Sequence, residues 1–287
     1  MIDALKLMRI PFSIFLMPVF WFSLSNLEVV NVFKGLHIFL MLHLFVYPAS
    51  NGYNSYFDKD EGSIGGLEKP PPVNQFLFPL VVAFDLIAVF YAAWITPLFG
   101  VLIGIYLLVS KAYSYDKIRL KKFPILSTLI VTLFQGAFIF LSVQYGMGQG
   151  LEDCLEIRHW LPALCSTIFL LGSYPLTQVY QHEEDALRGD QTLSLRLGVQ
   201  GTFVFSRLFF LLGTVLLIAF YWLSAQYTSI ACFLGFGIPI LVYFEFWAKA
   251  CKRSAKNANF KHAMRMNLLS SVCLSLAFVA MLFSDLF

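Results

Sequence analysis

Charge is scarce in this sequence. Only 13% of its 287 residues are Asp, Glu, Lys or Arg, about half the share near 25% that soluble domains carry. With 59% of the residues hydrophobic, a water-soluble fold of this size would run short of polar cover. Zinc-ligand spacing and CxxC pairs are missing: Cys154, Cys165, Cys232, Cys251 and Cys273 are scattered and read as apolar filler. Period-two alternation is missing as well, because the apolar runs are long and continuous, and this argues against a membrane β-barrel. No nucleic-acid motif is present. What is left is an all-α polytopic membrane protein.

The apolar runs approach or exceed the ~18 residues of a bilayer span. Punctuated by their loops, they predict nine transmembrane helices in one bundle, over 10–28, 36–56, 76–95, 97–113, 124–145, 160–180, 203–224, 228–249 and 265–285. The run from Ile10 to Leu24 ends only in a weak small-x-small pattern at Ser23 and Ser25, and further spans follow it, so it reads as a retained helix and not a cleaved signal. Of the 20 Lys and Arg residues, all but Lys34 and Arg158 fall on the side of the N-terminus and of loops 2–3, 4–5, 6–7 and 8–9. The positive-inside rule makes that side cytoplasmic. A short N-terminus without a transit-like stretch points to a bacterial inner membrane.

That side also gathers the acids. "NSYFDKDEG", residues 54–62, holds Asp58, Asp60 and Glu61, and "TQVYQHEEDALRGDQT", residues 177–192, holds Glu183, Glu184 and Asp185. Asn54 and Asp58 are four apart, as are Gln181 and Asp185, so each pair shares a helix face where the helix continues. Two such faces meeting across a bundle would converge hard oxygen ligands, a set that suits Mg²⁺ completed by substrate phosphates. Solvated loop acids are the plain alternative. The basic loop "KAYSYDKIRLKKFP" lies between the two clusters.

These residues resemble the UbiA-type intramembrane prenyltransferases, with nine helices and acidic motifs on loops 2–3 and 6–7. Asn54 and Asp58 fit the first motif, followed by Lys69-Pro70; Asp185, Gly189, Thr192 and "LSLRLG" fit the second. Tyr113 and Lys117 fit a YxxxK element, and "RIPFSIFLMP" resembles the first-helix pattern, which brings Arg9 toward the site. The resemblance implies a single domain over 1–287 that transfers a prenyl group from a prenyl diphosphate, with Mg²⁺ as cofactor, to a hydrophobic or aromatic, quinone-pathway-like acceptor. It implies metal ligands at Asn54, Asp58, Gln181 and Asp185, catalytic roles for Asn54, Asp58 and Asp185 with Tyr113 and Lys117, and diphosphate contacts from Lys117, Arg119, Arg9 and Lys69. Three positions depart from the pattern: Gly62 replaces an acid, Gln181 replaces an Asp, and Thr177 replaces an Asn or Asp. Asp60, Glu61, Glu183 and Glu184 are candidate substitutes. A catalytically silent homologue that binds lipid, or a membrane transporter, are the competing readings.

The transporter reading rests on Asp85 and Glu245, acids inside predicted spans that must face the bundle or a polar partner. His182 reads as a polar contact beside Gln181, and His37 and His43 as core or interface residues.

Overall fold

The computed structural model describes residues 1–283, Arg188 by its backbone alone. Among these residues nine helical segments are long and apolar enough to cross a membrane: Ile2–Ser25, Val32–Asp58, Leu77–Ile95, Pro97–Ser114, Pro124–Met147, Ile157–Thr177, Leu193–Leu223, Tyr227–Arg253 and Phe260–Leu282. The chain is an integral membrane protein, and each expected span is found. The main differences are at two starts. The first span begins at Ile2, eight residues early, because the turn bearing Asp3 and Lys6 is helical despite its charge. The seventh begins at Leu193, ten residues early, because a short helical stretch precedes a kink at Gly198 (φ 66°, ψ 171°). Residues 284 and 285 of the expected ninth span lie outside the described residues.

Without water to satisfy a backbone group, a broken helix inside a membrane must find its partners in neighbouring protein. The first, second, fifth and sixth spans carry such breaks. In the first span, Arg9 adopts a left-handed conformation (φ 51°) just before Pro11, and a 3₁₀ stretch, Ile10–Leu16, follows. The helix axis is thereby interrupted at a residue whose side chain turns inward. In the second span a π-helical turn, Leu42–Val46, precedes Pro48; widening the turn relieves the clash of the ring with the carbonyl four residues earlier. The fifth span has a π-helical turn at Phe134–Phe138, and the Ala137 N–H donates to Thr167 Oγ1 of the sixth span at 3.0 Å. A side chain on Gly136 would collide with the Thr167 backbone, so only glycine permits this approach. The sixth span ends in a 3₁₀ turn, Pro175–Thr177, and Thr177 and Gln178 line a cavity.

Aromatic packing holds the middle. Phe22 of the first span stacks on Phe278 of the ninth at 4.4 Å and meets Phe140 of the fifth edge-on at 5.2 Å. Ser23 Oγ donates to the Phe140 carbonyl at 2.8 Å. His43 is buried, stacked on Phe39, with Nδ1 3.0 Å from the Phe39 carbonyl, and His37 Nδ1 pairs with Tyr91 Oη at 2.6 Å; both are packing residues.

Candidate functional site

The last turns of the second span carry the first acidic stretch. Asn54 and Asp58 lie one turn apart, and Asn54 Nδ2 donates to Asp58 Oδ2 at 2.5 Å and to Ser114 Oγ of the fourth span at 2.8 Å. Lys59 takes a left-handed conformation (φ 50°) and ends the helix. The chain then folds into a tight turn closed by the Ile64–Leu67 bridge. Gly65 and Gly66 of this turn lie against the Phe12 ring, where side chains would not fit. The turn delivers the Gly65 carbonyl to Arg9 Nη1 at 3.3 Å, and Arg9 Nη2 donates to the Asn51 carbonyl (3.1 Å) and to Asn54 Oδ1 (3.4 Å). Arg9 is buried, and its Nε has no acceptor.

The basic loop comes in from the other side. Arg119 is left-handed (φ 41°), and the 3₁₀ turn that follows it, Leu120–Lys122, swings Lys121 inward until it is only 8% exposed. Lys121 Nζ lies 2.7 Å from Asp58 Oδ1. Lys117, the base expected from the YxxxK spacing, is exposed and outside the cavity lining. The loop therefore presents Lys121 to the acids in place of Lys117. Lys69 is exposed too and does not line the cavity.

The second acidic stretch forms a short helix, His182–Arg188, and its Asp185 N–H donates to the Gln181 carbonyl at 2.8 Å. Gly189 (φ 73°) caps it in the left-handed region that glycine adopts without strain, so the chain reverses and returns Asp190 to the interior. Thr192 caps the seventh span, accepting from the Leu195 N–H at 3.3 Å, while its hydroxyl donates to Asp185 Oδ2 at 3.2 Å. Burial pushes the Asp185 carboxyl up to about 6 despite the Thr192 hydroxyl and the Lys121 charge. Burial also opposes ionisation of Asp190, but hydrogen bonds from Arg119 and Lys121 outweigh it and hold this carboxyl below the usual range.

Together these elements enclose a cavity of about 240 Å³ at one end of the bundle, lined by Arg9, Asn54, Asp58, Asp60, Lys121, Gln181, Asp185 and Asp190 at its polar side. Tyr106, Tyr113, Phe134 and Tyr174 line it as well, and the Tyr113 and Tyr174 hydroxyls pair at 2.7 Å. Arg119, Glu61 and Glu184 are not in the lining. Arg119 instead grips Asp190, and Gln181 is tied down, its Nε2 donating to the Ser63 carbonyl at 3.1 Å. Glu184 bridges the two acidic stretches: its Oε1 accepts from the Glu61 and Gly62 N–H groups at 3.3 Å each. A Cβ on Gly62 would collide with the Glu184 carboxylate, so an acid from the second stretch fills the space beside the glycine that departs from the motif. Glu61 and Glu183 are exposed, Thr177 lines the cavity, and His182 Nε2 pairs with Ser194 Oγ at 2.8 Å. A second, apolar cavity of about 510 Å³ lies between the first and the sixth to ninth spans.

Among the described residues no three His, Cys, Asp or Glu side chains gather as a metal cage. The cavity still offers hard oxygens: the Asp58 and Asp185 carboxylates, Asn54 Oδ1, and Gln178 Oε1, which is buried without a hydrogen-bond donor. Mg²⁺ is commonly held by one or two carboxylates, with phosphate oxygens and water completing its shell. The residues therefore fit a divalent cation that arrives with a diphosphate, and the unsatisfied Arg9 Nε fits the accompanying anion. Lys121, Asp190 and Gln178 went unnoticed as site residues in the sequence. For the first two the signal was weak: a base within "RLKK" and an acid directly after the capping Gly189.

A sequence model of the UbiA prenyltransferase family matches residues 15–270. Homogentisate phytyltransferase from Synechocystis is 29% identical over 106 residues, which are 36% of this chain and 34% of that enzyme, so the chain aligns with about a third of this relative's length. Among solved structures, a UbiA homolog from Aeropyrum pernix K1 superposes with a TM-score of 0.73 at 16% identity, covering 97% of this chain and 99% of its own. A UbiA homolog from Archaeoglobus fulgidus, bound to GPP and Mg²⁺, gives 0.70 at 16% identity with the same coverage. At such identities the likeness shows the fold alone.

Proposed function

The chain belongs to the UbiA prenyltransferase family, and from that premise we propose that its cavity transfers the prenyl group of a prenyl diphosphate to a hydrophobic, aromatic acceptor. The observation that carries this reading is the convergence of Asp58 and Asp185, from two separate stretches, on the cavity that also holds the unsatisfied Arg9 Nε. A homolog of this fold bound to GPP and Mg²⁺ supports the donor class, and a relative named for homogentisate, an aromatic acid, supports the acceptor class.

The chemical task is to break an allylic C–O bond without letting water capture the cation. Arg9 and Lys121 are placed to give the departing diphosphate charge-assisted hydrogen bonds. Asp58 and Asp185, with Asn54 and Gln178, would hold Mg²⁺, which when bound neutralises the charge that develops on the leaving group. Tyr113, Tyr174, Tyr106 and Phe134 line the same cavity, and an allylic cation against their ring faces would gain from cation–π attraction. The acceptor ring would then form the new C–C bond with the allylic carbon and give up its ring proton to the released diphosphate, which leaves with it. Asp85 and Glu245, the grounds for a transporter, are each held by a base on a neighbouring span. The cavity end carries nearly all the Lys and Arg residues, which supports its placement on the cytoplasmic side.

Binding of geranyl thiodiphosphate, which does not ionise, tests the reading on purified protein with and without Mg²⁺. Mg²⁺-dependent binding that is lost in Asp58→Ala is the expected result. No binding by folded wild type would refute the donor assignment.

A further inference from the structure

Asp190 is the most buried acid at the cavity, 2% exposed, and it holds two bases at once. Arg119 addresses it through Nε at 3.2 Å and Nη2 at 3.1 Å, and Lys121 Nζ lies 2.9 Å from its Oδ2. The same Lys121 ammonium is 2.7 Å from Asp58 Oδ1, and Asp58 Oδ2 takes the Asn54 amide. One ammonium thus links the end of the second span to the start of the seventh, and both oxygens of Asp58 are engaged by the chain's own donors.

This arrangement bears on how Asp58 can serve a divalent cation. The Lys121 ammonium must first leave Asp58, and an ammonium stripped of every counter-charge inside a cavity is strongly disfavoured. Asp190 removes that obstacle, because Lys121 keeps one carboxylate when it gives up the other. Lys121 also stays within reach of the phosphates that come with the metal. Without Asp190, Asp58 becomes the only carboxylate of this trio left to Lys121, and the ammonium competes harder with the metal for it.

Building on the proposed Mg²⁺–diphosphate reading, we propose that Asp190 is a positioning residue. It retains Lys121, with Arg119, beside the cavity while Asp58 exchanges the ammonium for a divalent cation.

The test is the Mg²⁺ dependence of geranyl thiodiphosphate binding to the full chain in detergent, for wild type, Asp190→Asn, Lys121→Met and the double variant. Asp190→Asn is expected to raise the Mg²⁺ concentration for half-maximal binding about tenfold, with binding restored at saturating Mg²⁺. In the Lys121→Met background the same change should shift the midpoint less than twofold. A direct electrostatic pull of Asp190 on the metal, or metal ligation by it, would instead persist in that background and overturn the proposal. So would a wild-type midpoint in Asp190→Asn. A purely structural tie would lower thermal stability and leave the Mg²⁺ midpoint in place, again against the proposal. If Asp190→Asn does not fold, Asp190→Glu gives the same readout: a shift of a few-fold in the same direction supports the proposal, and none overturns it. Wild type that binds no analogue at any Mg²⁺ concentration removes the donor reading itself. A normal wild type with an unchanged variant removes only the role of Asp190.

Discussion

Two groups of acid–base contacts in this protein differ in kind, those between neighbouring spans and those at the cavity. Along the spans, Lys111 of the fourth reaches Asp85 of the third at 2.7 Å and lies over the Tyr53 ring, its Nζ 5.1 Å from the centroid. Arg207 of the seventh span meets Glu245 of the eighth through two hydrogen bonds, 2.8 and 3.0 Å, and rests on Phe244. Each is a closed pair of one base and one acid. At the cavity the contacts form a chain instead, with Lys121 shared by Asp58 and Asp190, and Asp190 shared by Lys121 and Arg119. Next to that chain, Arg9 Nε and Gln178 Oε1 are buried with no partner. Burying polar groups unsatisfied is costly, so a structural pair consumes its hydrogen-bonding capacity, whereas a binding site keeps some in reserve.

The largest effect expected from this contrast is at the two acids. Asp58→Ala and Asp185→Ala should each cut Mg²⁺-dependent diphosphate release by about 10³-fold or more, the scale of losing a group that stabilises leaving-group charge. Membrane insertion and thermal stability should stay near wild type. Activity within about tenfold of wild type in both variants would mean that the cavity acids do not serve the metal. Next in size, Lys121→Met should weaken geranyl thiodiphosphate binding about 10- to 100-fold, since charge-assisted hydrogen bonds are the strong ones. Lys117→Ala should change it less than about twofold, because Lys117 is exposed and outside the cavity lining. The reverse ranking would place the wrong lysine at the site.

That choice between lysines shows where sequence reading reached its limit. Nine spans were legible because bilayer thickness imposes long apolar runs, and the acidic stretches stood out against them. Asn54, Asp58 and Asp185 followed from helical spacing and motif, and all three line the cavity. Lys121 did not follow, because its inward path depends on a left-handed Arg119 and one 3₁₀ turn, a local choice with no periodic signature. Asp190 was hidden in the same way by the reversal at Gly189, and Gln178 by the break at Pro175 in what read as a continuous helix. The acids inside the spans raised the opposite difficulty. Asp85 and Glu245 were conspicuous, but their partners sit 26 and 38 residues away, and pairing across helices cannot be read from spacing.

A smaller effect is expected from pH. The Asp185 carboxyl, raised to about 6 by burial, is ionised above that value and able to ligate a cation, and is protonated below it. Metal binding requires the carboxylate and so releases a proton. Mg²⁺-dependent binding of the thiodiphosphate should therefore be full at pH 7.5 and weaken by up to about tenfold per unit below pH 6. Asp190, held below the usual carboxylate range, stays ionised across this window and adds no step. An affinity for Mg²⁺ that is flat from pH 7.5 to 5 would separate Asp185 from the metal.

The smallest effect belongs to the closed pair on the seventh and eighth spans. Arg207 and Glu245 are 45% and 34% exposed, and Glu245 lies eight residues before Arg253, about 12 Å along the helix, so a long arginine side chain can extend toward the headgroups when it loses its partner. Glu245→Gln should then cost only about 0.6–1.7 kcal/mol, the range of side-chain hydrogen bonds between membrane helices, read as a fall of about 1–6 °C in the thermal midpoint. Arg207→Met should cost about the same, and the double variant little more than either, because each change removes one shared interaction. Thiodiphosphate binding should not move in any of the three. A binding defect in Glu245→Gln without loss of stability would erase the distinction between the two settings, since a pair with no reserve of hydrogen-bonding capacity would then be acting on the cavity from a distance.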